Sequence, residues 1–78
     1  MRYSTFRKEI GIMGFRLTKN FQFITVIDEK DIPVITIDLN EMYLINTYYN
    51  SFHELEFEVK TKLFQLACEF SGTPKERR

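Results

Sequence analysis

The side chains of this chain whose types could do chemistry are one histidine, one cysteine and a short acidic run. His53 stands beside Glu54 and Glu56, but a metal or general-base role needs further ligands at matched spacing, and no second His or nearby Cys supplies one. It reads as a residue in the first turn of a helix. Cys68 would be a nucleophile only beside an activating base, which nothing in the sequence marks, so it reads as an inert, small apolar side chain. Asp28, Glu29 and Asp31 lack the glycine and the terminal Glu of a calcium loop and read as a solvated turn. Gly11, Gly14 and Gly72 do not have the spacing of a phosphate cradle. No enzyme, metal or cofactor is expected.

What remains is recognition by surfaces. The eleven basic and eleven acidic side chains cancel, but their distribution is uneven. Residues 1–20 carry Arg2, Arg7, Lys8, Arg16 and Lys19 against Glu9 alone, and residues 21–58 carry eight carboxylates against Lys30 alone. The end is basic again, with Lys60, Lys62, Lys75, Arg77 and Arg78 against Glu69 and Glu76. A nucleic-acid reading would use Arg2, Arg7, Lys8, Arg16, Lys19, Arg77 and Arg78. Solvation is the commoner fate of charged faces, so this reading ranks second.

The first-ranked reading rests on the stretch from Asn50 to Gly72. At about 100° per residue, Leu55, Val59, Leu63, Leu66 and Phe70 fall in one helical stripe, with Ala67 at its border. Phe57, Phe64 and Cys68 gather on nearly the opposite side. This second patch is a flank of the core covered by Phe6 or Ile10, a homodimer seam, or a docking face for another protein. An exposed Phe forgoes about 1.5–3 kcal/mol of burial, which a marginal domain does not readily lose.

Several elements must position these groups. Phe6, Ile10 and Met13 recur at helical spacing after Ser4 or Thr5 as N-cap, and Gly14 ends that helix with Phe15 folding back. A strand over Arg7–Leu17 is the rival reading. Residues 21–28 (FQFITVID), 33–39 (PVITIDL) and 42–49 (MYLINTYY) read as three strands joined by short turns, an antiparallel meander. The register of the first stays open, because Phe21, Phe23 and Ile27 oppose Ile24 and Val26. The last helix starts near Ser51–Glu54, places Glu54, Glu56 and Glu58 at its positive end, and sets Glu56 and Glu58 four residues before Lys60 and Lys62. Gly72 stops it, and residues 73–78 form a polar tail.

The expected fold is a single α+β domain over residues 1–78. It is a two-layer sandwich in α-β-β-β-α order, with a three-stranded antiparallel sheet and both helices on one face. That order matches double-stranded-RNA-binding domains, but the carboxylates at the last helix start have the wrong sign for phosphate. A chain of 78 residues buries only about 60% of its unfolded surface, so a partner or second copy would help it. A lone cysteine and the absence of a long apolar run point to a cytoplasmic protein with no signal peptide or membrane span.

The run INTYYNSF followed by KLFQLACEFSGTPKERR resembles small uncharacterised proteins of tailed phages and prophages from low-GC Gram-positive bacteria. The matching positions are Gly14 with Phe15, Asn46 with Thr47, Tyr49, Phe52, Leu63 with Phe64, Thr73 with Pro74, and Arg77. The resemblance implies phage origin and a bacterial host cytoplasm, and it brings no activity or catalytic residues. The expected function is that of a phage-encoded accessory protein that binds another protein, such as a host or defence factor, or a second copy of itself. A nucleic-acid-binding regulator is the alternative.

Overall fold

A computed structural model describes residues 1–78. The order is α1 (Tyr3–Ile12), β1 (Arg16–Lys19), β2 (Phe23–Ile27), β3 (Pro33–Asp38), β4 (Ile45–Asn46), α2 (Asn50–His53) and α3 (Phe57–Ser71), followed by a 3-10 turn over Lys75–Arg77. The protein is α+β, and its antiparallel sheet has four strands in the order β1-β2-β3-β4. The expected three-stranded sheet is corrected to four, and the expected single last helix to two.

Helix α1 buries Phe6 and Ile10, two residues of the anticipated stripe. It starts earlier than Ser4 or Thr5 would allow, with Arg2 at the cap position and no side-chain cap. Its end follows expectation. Gly14 has φ +90°, and the Phe15 N–H donates to the Ile10 carbonyl at 3.1 Å, the long bond of a left-handed helix stop. Phe15 is thereby folded into the core.

Strand β1 was missed because Leu17 is its one apolar residue. An edge strand with one apolar side chain carries no alternation to read. Its turn into β2 is held by Asn20, whose Oδ1 accepts from the N–H groups of Gln22 (2.8 Å) and Phe23 (2.7 Å).

Pairing of Ile24 with Ile37 and Val26 with Ile35 settles the register of β2, placing these four buried residues on one face. A bulge between Val26 and Ile27 makes Val34 the extra residue on β3, and Val34 and Ile35 are both buried, which strict alternation would forbid. Asp28 makes the β2–β3 turn, its Oδ1 accepting from Lys30 N–H (2.8 Å) and Ile32 N–H (3.0 Å). The acidic run is therefore turn chemistry.

The third expected strand, 42–49, shrinks to Ile45–Asn46. Asp38 ends β3 by accepting the N–H groups of Asn40 and Glu41 on its Oδ1, and Tyr43 adopts φ 60°. Tyr43 N–H then bonds the Ser71 carbonyl instead of a neighbouring strand.

The last helical pattern breaks at Glu54–Glu56. Glu56 has extended backbone (ψ 147°) as the cap of α3, so only Glu58 lies in its first turn. Lys60 Nζ donates to the His53 carbonyl at 2.9 Å, capping α2, and neither Glu56–Lys60 nor Glu58–Lys62 forms an ion pair. Ser51, at the expected start of one long helix, donates its hydroxyl to the Pro33 carbonyl and ties α2 to β3.

The core joins Phe6 and Ile10 of α1 and Leu63, Leu66, Ala67 and Phe70 of α3 to Ile24, Val26, Ile35 and Ile37 of the sheet. Phe6 and Phe70 stack with centroids 4.6 Å apart. The C-terminal tail is fastened down. Arg78 donates to the carbonyls of Ser71 (2.7 Å), Thr73 (2.9 Å), Leu39 (2.8 Å) and Asp38 (3.3 Å), with its guanidinium 5.2 Å from the Phe70 centroid.

Candidate docking surface

Helix α3 turns Leu63, Leu66, Ala67 and Phe70 inward, and its 3.6-residue period carries Phe57 and Phe64, seven apart, to the outer side. Phe57 is 80% exposed and Phe64 42%. Cys68, one turn beyond Phe64, is partly covered, and burial raises its thiol pKa, which disfavours the thiolate. Phe6, which could have covered this patch, stacks on Phe70 instead. Phe64 leans toward Phe52, with centroids 6.4 Å apart, and the two line a shallow cleft of about 360 Å³ with Thr47, Lys60, Thr61 and Gln65. Lys60 holds the rim in place, bonded to the His53 carbonyl and 5.8 Å from the Phe52 centroid.

A second depression, about 390 Å³, lies on the sheet. Thr18, Thr25, Thr36 and Asn46 pair in register across all four strands, on the face opposite Ile24 and Ile37. Tyr49 and Thr36 share a hydrogen bond of 2.7 Å between their hydroxyls, and Tyr48 stacks on Tyr49 at 4.7 Å while remaining 68% exposed. Thr47 lines the α3 cleft and Tyr48 the sheet cleft, so the β4–α2 connection separates the two. Met42, Tyr43 and Leu44 are also exposed. Sequence reasoning placed this aromatic segment in a strand and missed its display. The available signal was that MYLI is apolar at both parities, which a sheet covered on one face cannot bury.

His53 closes the short helix α2 instead of standing in the first turn of a long one; it is exposed, with its ring edge-on to Phe52, and no group of three or more His, Cys, Asp or Glu side chains is placed to hold a metal. The basic residues do not converge on one surface. Arg2, Arg77 and Arg78 line one cleft with Glu76, whereas Arg7 and Arg16 line another. Arg16 is paired with Asp31, Lys19 lies 4.6 Å over the Tyr3 ring, and Arg78 is held by carbonyls. Lys8 is exposed on α1. No family model, curated protein or solved structure matches the chain.

Proposed function

We propose that this protein acts by docking on another protein through the outer face of α3, without catalysis. The observation that carries the reading is the exposure of Phe57 and Phe64 on one helix face, with Phe64 lining the Phe52 cleft, in a domain with another helical face already committed to its core. Aromatic side chains next to an apolar cleft, with a fixed cation at the rim, have the make-up of a binding hot spot. The residue resemblance to phage and prophage proteins supports the setting, a phage-encoded accessory protein in a bacterial cytoplasm that blocks or redirects a host or defence factor. A second copy of the chain is the other occupant this surface could take.

The test compares the native chain with the double variant Phe57→Ser, Phe64→Ser by affinity capture from bacterial lysate, with circular dichroism to check folding and light scattering to measure size. The expected outcome is a folded variant that loses its captured protein. A folded variant that retains every partner overturns the reading, and a native dimer that dissociates in the variant assigns the patch to self-association.

A further inference from the structure

We infer that the free edge of β1 is a second recognition site, one that takes an extended acidic peptide segment of a partner protein as a fifth strand. This goes beyond the docking reading and does not depend on the α3 patch. Two independent features meet there. The first is the phase of the ladder. The Asn20 N–H donates to the Phe23 carbonyl at 2.9 Å, and antiparallel alternation from that pair makes Thr18–Thr25 and Arg16–Ile27 the mutually bonded pairs. Leu17 and Lys19 therefore turn their N–H and carbonyl groups away from β2, to a side where no strand lies. A peptide can add strand-to-strand hydrogen bonds there.

The second feature is a cleft of about 240 Å³ between α1 and this edge. Arg7 and Gly11 supply its helical wall, Phe15, Leu17 and Ile27 its apolar lining, and Arg16 its other cationic side. A Cβ built on Gly11 meets no atom within 4 Å, so the wall is open where a peptide would pass. In an extended peptide, alternate side chains point to opposite sides, so one set can meet the apolar lining on the α1 side while carboxylates of the other meet the Arg16 guanidinium. Arg16 already accepts such a partner from within the chain, since its guanidinium pairs with the exposed Asp31. A second copy is a poor occupant. Pairing β1 with itself would gather two Arg16 and two Lys19 side chains on one ladder with no carboxylate contributed by either strand.

The probe is a fluorescein-labelled hexapeptide of alternating Glu and Val, with the Lys–Val counterpart and a single-stranded oligonucleotide as controls. Binding is read by fluorescence polarisation, and amide hydrogen exchange is read at Leu17 and Lys19. The Glu peptide is expected to slow exchange at both amides by tenfold or more and to bind at least tenfold more tightly than the Lys peptide. Gly11→Leu, which fills the cleft while improving helix propensity, should weaken binding at least tenfold without lowering the melting temperature. Arg7→Glu should weaken it too, whereas Phe57→Ser, Phe64→Ser should leave it unchanged. Equal binding of both peptides, absence of protection, or indifference to Gly11→Leu overturns the proposal. So does oligonucleotide binding that needs Arg7 but tolerates Gly11→Leu, because the cations would then serve a phosphate backbone.

Discussion

Phe70 and Phe57 belong to the same helix and differ only in where the fold puts them. Phe70 is fully buried, stacked on Phe6 and covered by the Arg78 guanidinium, whereas Phe57 stands in water at the other end. A phenylalanine of α3 is therefore placed by what reaches it. Where an α1 ring and a carbonyl-bound arginine meet it, it holds the fold. Where neither reaches, its apolar surface stays exposed.

The contrast breaks most visibly by truncation. Phe70→Ala is expected to destabilise the domain by about 3–5 kcal/mol, a loss a chain this small does not survive comfortably. Phe57→Ala should lie within about 0.5 kcal/mol of the native chain, as exposed substitutions usually do. Urea denaturation followed by circular dichroism measures both, and equal costs would mean that Phe57 is covered in solution.

The next effect belongs to Arg78, which donates to four carbonyls at the end of α3 and β3. Arg78→Ala should cost about 2–3 kcal/mol by the same measurement, because hydrogen bonds from a charged donor are worth more than neutral ones. Arg77→Ala, at an exposed neighbour, is the control and should be near neutral.

Ser71 runs in the opposite direction. Its Oγ is buried without a hydrogen-bond partner, so Ser71→Ala should stabilise the chain by about 1 kcal/mol. A loss of stability would show that the hydroxyl is satisfied in solution.

The smallest effect concerns Cys68. Burial raises its thiol pKa, so the folded chain holds that proton more tightly than the unfolded chain does. The stabilisation is full below the unfolded thiol value and is lost as pH rises through the folded value. Cys68→Ala should flatten that alkaline decline in a pH series of melting temperatures.

Much of the fold was legible because local chemistry specified it. Gly14 with Phe15 wrote the end of α1, the β-branched runs wrote β2 and β3, and the spacing of Leu63, Leu66 and Phe70 wrote the buried side of α3. The second patch was equally readable from helical geometry, since Phe57 and Phe64 share a face in any helix that includes both. Strand β1 was not, because one leucine in four residues makes no pattern. The break at Glu54–Glu56 was hidden too, since the residues across it suit a continuous helix. At the break Ser51 bonds Pro33 of β3 and Lys60 caps α2 at His53, contacts that local propensity does not announce.

Residue type and spacing alone specified the α+β class, the buried stripe of α3 from Leu63 to Phe70 but not its start at Leu55, which lies in the break before α3, and the turn chemistry of Asp28. These are matters settled within a few turns of chain. That Phe6 covers Phe70 rather than the second patch, that Arg78 is a clamp rather than a free cation, and that β1 presents an open edge beside Arg7 follow from long-range packing. Each of these depends on which distant segments come together, and local propensity does not encode that.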